Sequence, residues 1–493
     1  MRLIITLGLW WLAWGTIKAQ PIHVLSAAEA NQLLNHASVK LNEGIYCLPV
    51  DFTLTVTSEN YSLEGIPGKT TLTSFNPADP NTDFQIRMLD TNQPDLFEDG
   101  TYVVANNPYY SFGGGFAHLE LPYNTGGEKI LYTQGTILVK KNGLWKRHFT
   151  GSGFHVRGSL KVRNIQFENC QFYLFSPFGK TISDEFSISH CRFNKVARVL
   201  SSSLYGGKAE ENWFNSLSVY PVNGNYRFRK MIIDQNVFSQ IYTSIIWGCP
   251  PVENVRITGN VIKDCPTTIA FFYLYQKDYA DEDYFANRNR ELIADNVFED
   301  IEQGVNRWTV SLTRTAGRAV VRDNKYHNCN VQVLLLYGGN STFCRNQVTS
   351  TLFSNKHPMP LILVKNINHP THKISGNHIF APASLLVSVE GKANIYIAKN
   401  NLEVGTVYSK NNPIFDPGQW VDIENNTIKA ETLVHISDRD TVQFGQVKIK
   451  RNEILQLNNL RTGKSHIGSM NIRKNRLYKK GVKNFPLEGN KVE

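Results

Sequence analysis

Beyond residue 14 the chain has no stretch apolar enough to cross a bilayer as a helix. It has no zinc-ligand spacing, no glycine-rich phosphate loop, no G-x-S-x-G elbow and no nucleic-acid-binding module. No cysteine follows the N-terminal apolar run, so a lipid anchor has no attachment point there. The seven cysteines are an odd number and cannot all pair with one another. The Leu framework of leucine-rich repeats is missing as well. These absences turn attention from compact nucleotide, zinc and hydrolase folds to whatever regularity the chain does possess.

Met1-Arg2-Leu3 followed by the apolar run Ile4 to Trp14 has the layout of a signal peptide, with cleavage expected beside Ala19-Gln20. The alternative, a short membrane anchor, meets a run too short to span. Export is therefore expected, whether to a periplasm, an outer surface or the medium. At 493 residues the chain is too long for one ordinary core, but a solenoid escapes that limit by burying each coil against its neighbours. A net charge of +10 points to anionic partners, or only to solubility.

One pattern recurs: an apolar residue, two mostly polar residues, Asn, any residue, an apolar residue. It reads Ile233 to Phe238, Ile257 to Ile262, Ile293 to Phe298, Val321 to Tyr326, Phe343 to Val348 and Ile374 to Ile379. It continues as Ile397 to Leu402, Ile423 to Ile428, Ile449 to Ile454 and Ile472 to Leu477. Ala209 to Phe214 fits too, and Phe167 to Phe172 and Ile188 to Phe193 carry Cys170 and Cys191 at the Asn position. Apolar residues on both sides of a short polar bend describe two strands that meet and face one core. Asn tolerates the left-handed backbone such a bend needs, and stacked Asn side chains can bond from coil to coil. The expectation is an all-β right-handed parallel β-helix of about thirteen coils between roughly residues 160 and 480. Asn236, Asn260, Asn296, Asn324, Asn346, Asn377, Asn400, Asn426, Asn452 and Asn475 should form one ladder.

Cys265 and Cys329 lie five residues after a ladder Asn, where Ile241 and Ile301 also fall, so they read as buried free thiols. Cys170 and Cys191 are expected in one column, free or bridged, with free thiols favoured. Ser26 to Ala37 reads as an amphipathic helix with Ser26 as its N-cap and Ala27, Ala30, Leu33 and Leu34 on one face; it would cover the open end of the stack. The layout is thus residues 1–19 as signal peptide, 20–74 as cap and first strands, 75–159 as an irregular or inserted region, and 160–493 as the helix body.

The capping segment at 26–46 and the repeat at 167–477 resemble the pectate-lyase-like superfamily of parallel β-helix proteins. That superfamily includes polysaccharide lyases, glycoside hydrolases, epimerases and non-catalytic adhesins, so the resemblance speaks for fold more than for chemistry. It implies a cleft along the sheet eight to fourteen residues after each Asn turn. There the sequence places Ser244 to Trp247, Ile269 to Tyr275, Asn306 to Leu312, Val331 to Tyr337 and Pro360 to Lys365. The longest extension, Gln276 to Arg290, adjoins it, and long loops on a regular scaffold concentrate binding residues.

The leading functional expectation is a lyase acting on a uronate-containing polysaccharide by β-elimination. Arg307 would neutralise the carboxylate, Lys277 would take the C5 proton, and Tyr275 would protonate the leaving oxygen. If Trp308, Val310 and Leu312 face the core, alternation turns Arg307, Thr309, Ser311 and Thr313 outward. Trp247, Tyr273, Arg314 and Tyr337 are the substrate-binding candidates. Each has a plain structural alternative as a packing or solvated strand residue. Asp281 and Asp283 suit Ca²⁺, though their spacing is not that of an EF-hand. A hydrolase with a facing carboxylate pair is the second expectation, and a non-catalytic glycan-binding protein the third. The expected partner is an anionic polysaccharide, with no nucleic acid and no transmembrane anchor, bound by a monomer.

Overall fold

The computed structural model describes residues 20–74 and 153–492, apart from residues 50–51, 57, 157, 178–181, 202–226, 242–245, 248–251, 264–268, 271–289, 301–310, 316–317, 330–331, 337–338, 350–359, 365–369, 411–415, 437–442, 463–465 and most of 479–488. Between residues 75 and 152 it describes the backbone of five strands.

A parallel β-helix results, and its repeat is the one written in the sequence. The strands that lead into the Asn turns pair side by side as one fourteen-stranded sheet, from Ser38–Lys40 to His466–Arg473. One column of that leading sheet runs Val39, Leu63, Val162, Ile188, Ile233, Ile257, Ile293, Val321, Phe343, Ile374, Ile397, Ile423, Ile449 and Ile472 in unbroken parallel register. All but Ile472, which packs partly buried against the core, are buried. Each such burial stabilises the fold by about 1.5–3 kcal/mol, and identical side chains in adjacent rungs fill the same space, so one solution serves every coil.

The ladder follows each of these strands. Nδ2 of Asn260 lies 2.9 Å from Oδ1 of Asn296, and the same link joins Asn236 to Asn260 at 3.0 Å and Asn452 to Asn475 at 3.0 Å. Each Oδ1 also accepts the backbone N–H of the Asn before it, and each Nδ2 also donates to a carbonyl of the preceding rung, as Asn324 does to Ile293 O at 2.9 Å. Every polar atom of these buried amides is thereby satisfied, which burial demands. The ladder extends one step beyond the expected set, to Asn490 at 2.9 Å from Asn475. Gly489-Asn490-Lys491-Val492 is a last short copy of the turn, and Lys491–Val492 pairs with Arg476–Leu477.

The bend does not fall on the Asn, as the pattern suggested. The left-handed residue is the one before it: Gln235, Gly259, Asp295, Asp323, Arg345, Gly376, Lys399, Asn425, Arg451 and Lys474, with φ between +53° and +66°. The ladder Asn must turn its amide inward, so the reversal is taken by the preceding residue. A second left-handed corner follows at Asn169, Lys195, Asp300 and Asn328. It turns the chain from the trailing sheet onto a third side.

Three details of the expected repeat are corrected. Ile188 pairs directly with Ile233, so Ala209–Phe214 is no rung of the leading sheet; its motif match belongs to residues 202–226, outside the described residues. Cys170 does not share the ladder column with Cys191. Cys191 N–H donates to Asn236 Oδ1 at 2.8 Å, whereas Cys170 pairs in register with Val196, and Val196 with Ile241. Ile165, after the bend at Asn164, takes the ladder position of that rung, because Arg192 N–H donates to its carbonyl. Cys170 thus lies in the apolar column five residues on. Cys170, Cys191 and Cys329 are all buried free thiols, and Cys265 lies outside the described residues.

The helix begins earlier than residue 160. Strands Asn60–Glu64 and Ser159–Arg163 are direct neighbours, with Leu63 opposite Val162, so residues 75–152 depart from the stack between two adjacent rungs. Their five strands pair in the order Gln85–Leu89, Thr101–Asn106, Thr136–Val139, Ile130–Thr133, His118–Leu119, the first pair parallel and the others antiparallel. The capping helix spans Ala27–Leu34, shorter than expected because Ser38–Lys40 is already the first strand of the leading sheet. Ser26 and Glu29 form a reciprocal capping box, Ala30 and Leu34 are buried, and Tyr61 Oη donates to Leu34 O at 3.1 Å. Among the described residues no helix is long and apolar enough to cross a membrane.

Candidate functional site

The third side of each coil is built by the ends of the long strands Gln166–Pro177 and Arg192–Ser201 in the first rungs, by short separate strands from Ile246 to Val364, and by the ends of long strands again downstream. Ile246–Trp247, Ile269–Ala270, Ser311–Thr315, Gln332–Leu336 and Pro360–Val364 pair in succession. His378–Val389, Asn401–Lys410, Thr427–Ile436 and Glu453–Thr462 continue the same side. One column of register partners runs Ile246, Ile269, Thr313, Leu334, Ile362, Val387, Tyr408 and Val434, of which Ile362, Val387, Tyr408 and Val434 are buried. The next column runs Trp247, Ala270, Arg314, Leu335, Leu363, Ser388, Ser409, His435 and Thr462.

The register sets Thr313 and Arg314 in successive columns, while residues 301–310, on which the expected alternation rests, lie outside the described residues. Parity does not carry through the corner, where adjacent residues are both buried: Leu361 with Ile362, Leu386 with Val387, Val407 with Tyr408, Leu433 with Val434. Extending a strand's alternation across such a corner inverts every assignment beyond it.

Of the expected site residues, Trp247 and Arg314 lie on described strands, in one column with Ala270 between them, two rungs or roughly 10 Å apart. Tyr273, Tyr275, Lys277, Asp281, Asp283, Arg307 and Tyr337 lie outside the described residues. In sequence they fall next to strands of this side. Residues 75–152, 301–310 and 350–359 enter it, and residues 202–226 and 271–289 leave it.

Downstream the same column becomes hydroxylic. Ser388 and Ser409 are buried, and His435 Nδ1 lies 2.9 Å from Thr462 Oγ1. Sequence inspection missed this run because its distance from the ladder Asn changes from rung to rung.

Two further polar groups stand out. On the outward face of the leading sheet, Glu424 receives Tyr396 Oη, Lys450 Nζ at 2.9 Å and Arg451 Nη2 at 2.7 Å. Lys450 also reaches Asp422 at 3.5 Å. Burial opposes the charge on Glu424, but the bonds from Tyr396, Arg451 and Lys450 outweigh it and hold its pKa at about 2. Burial pushes Asp422 up, only partly offset by Lys450. Burial, and then the Glu424 carboxylate, raise Tyr396 to about 12. With three donors on Glu424 the group is a clasp between rungs, not the free carboxylate pair that hydrolysis requires. In the core, His372 shares a 2.7 Å hydrogen bond with Ser341 Oγ, and burial lowers its pKa to about 3, so it is a neutral packing residue. Among the described residues no three His, Cys, Asp or Glu side chains are grouped to hold a metal ion.

Neither a protein-family model nor a curated protein matches the chain.

Proposed function

We propose that the protein is an exported polysaccharide lyase that cleaves a uronate-containing chain by β-elimination along the third side of the helix. The observation that supports this reading is the side's asymmetry: the longest connections of the chain enter and leave it upstream of Pro360, and its column there includes Trp247 and Arg314. Long loops over a rigid scaffold make a cleft, and an arginine two rungs from a tryptophan suits a chain of sugars that carries carboxylates.

In this mechanism the Arg314 guanidinium, with Arg307, binds the uronate carboxylate and lowers the cost of the carbanion forming at C5. Lys277 accepts the C5 proton, the glycosidic bond at C4 breaks, and Tyr275 protonates the departing oxygen, leaving a C4–C5 double bond. Trp247, Tyr273 and Tyr337 bind neighbouring sugars. The resemblance of the repeat to pectate-lyase-like proteins agrees with this chemistry without selecting it.

The test is incubation with a panel of uronate-containing and neutral polysaccharides, following ultraviolet absorbance of unsaturated uronate alongside new reducing ends. Both signals rising together is the expected result. Reducing ends without absorbance would make the protein a hydrolase, and binding without either would make it a glycan-binding protein. Loss of activity on adding a chelator, restored by Ca²⁺, would assign Asp281 and Asp283 a metal-binding role.

A further inference from the structure

Downstream of Pro360 the outward face of the leading sheet carries a column that neither the ladder nor the clasp at Glu424 uses. It runs Thr371, Asn394, Trp420, Gln446 and Ser469. Val421 and Ile423 are buried, so alternation turns Trp420, Asp422 and Glu424 to the other face. The Trp420 backbone N–H donates to Asn394 Oδ1 at 3.0 Å, which seats the two residues on adjacent rungs. The next outward column runs Lys373, Tyr396, Asp422, Lys448 and Asn471.

The two columns differ in how their polar groups are spent. Tyr396 Oη donates to Glu424, and Glu424 also takes Lys450 and Arg451. Asp422 takes Lys450 at 3.5 Å and faces Lys448 in register. In the Trp420 column, by contrast, the indole Nε1, the Gln446 amide and Ser469 Oγ have no hydrogen-bond partner among the described residues. Asp422 Oδ1, in the neighbouring column, is buried without one. Trp420, Asn394 and Gln446 are nonetheless half-buried. An indole removed from water normally finds a partner for its N–H. Here a large flat ring and a set of unspent donors and acceptors lie together on one rigid sheet. The Tyr396 ring, held by its bond to Glu424, stands diagonally beside them.

We infer that this face is a non-catalytic subsite for neutral sugar units, with Trp420 as its stacking platform. The C–H face of a pyranose ring is apolar and matches an indole, while its hydroxyls both donate and accept. Asn394 and Gln446 lie one rung to either side of Trp420, about 4.8 Å away each, within reach of hydroxyls at both edges of one ring. An amide offers donors and an acceptor together, which suits a hydroxyl. No arginine lies in either column to grip a carboxylate, and Asp422 stands beside the ring, so a uronate or a nucleic-acid phosphate is disfavoured. None of the exposed large hydrophobic side chains among the described residues lies in these columns, so the apolar surface ends at two rings, too small for a membrane or protein partner. The subsite lies on another side of the helix from the proposed cleft and involves no bond cleavage, so it holds whether or not the chain is a lyase. Binding here would keep the uronates of a mixed polysaccharide near the cleft, raising their effective concentration.

The experiment is affinity electrophoresis of the full protein in gels containing galactan, arabinan, xylan or dextran, with polygalacturonate as the acidic comparison. At least one neutral polysaccharide should retard the wild type. Trp420→Ala should weaken that binding on the order of 10-fold at equal folded concentration, and Trp420→Phe should recover part of it. Gln446→Ala should weaken it less, with denaturant unfolding unchanged. Short uronate oligomers, the proposed occupants of the cleft, should not displace the neutral chain. No retardation by any neutral polysaccharide would overturn the inference. Full binding in both Trp420→Ala and Gln446→Ala, or displacement by uronate oligomers, would overturn it as well. A failure to form unsaturated uronate would sink the lyase reading and leave these outcomes as they stand.

Discussion

The rungs upstream of Pro360 and those downstream of it share one ladder and one leading sheet but differ in their trailing strands and in the core behind them. Between residues 237 and 349 the trailing strands are short, such as Val261–Lys263, Val297–Glu299 and Lys325–His327, and separate strands form the third side. Downstream, Asn401–Lys410 and Thr427–Ile436 run through the corner without a break. The upstream core is stacked with rings, Phe167 on Phe193 at 5.0 Å, Phe193 on Phe238 at 4.9 Å and Phe298 on Tyr326 at 4.7 Å. The same column downstream is Ile379, Leu402, Ile428 and Ile454, all buried. A solenoid adds stability rung by rung, so a continuous downstream half can support an upstream half with longer connections.

The sharpest way to break this comparison is to cut the ladder in each half. Asn324→Leu and Asn426→Leu should each destabilise by about 3 kcal/mol or more in denaturant unfolding, since each strands several buried polar partners. A large loss in one half and none in the other would deny that a single ladder holds both. Next comes activity. Arg314→Ala should lower turnover on the order of 100-fold with unfolding unchanged, and Arg314→Lys should recover only part of it. Ser409→Ala, in the same column downstream, should leave turnover intact; lost turnover there would move the site.

The acid response is a smaller effect. His372 sits at the boundary of the halves with its pKa lowered to about 3 from 6.5. The unfolded chain binds a proton that the folded chain refuses, so stability is full above pH 6.5 and falls as pH drops toward 3. His372→Leu should flatten that slope, and an unchanged slope would exclude this histidine as its source. Glu424 acts lower. Its pKa is lowered to about 2 from 4.5, so its contribution is present above 4.5 and fades as pH falls toward 2; Glu424→Gln should abolish that part of the acid transition in the downstream half. Least of all, Cys329 should resist thiol reagents in the native protein, and rapid labelling would show an open coil.

The fold was legible because the ladder needs one residue type at one position: few side chains satisfy two neighbours and a carbonyl at once, so Asn324 or Asn426 cannot drift. Asn490 was overlooked only because its rung is cut short. The bend was misassigned because Asn favours left-handed backbone in general, while here its amide is committed inward and Gln235 or Lys399 takes the strain. The site was less legible. The register that separates Thr313 from Arg314 depends on a corner whose connections vary in length, and no period carries across them.

The most direct measurement is the rate at which ultraviolet absorbance of unsaturated uronate appears on polyuronate, for the wild-type protein and Arg314→Ala side by side. A β-eliminating cleft on the third side predicts a steady rise for the wild type, and a rise on the order of 100-fold slower for the variant at equal folded concentration. Equal rates in the two proteins, or reducing ends released with no absorbance in either, would contradict it.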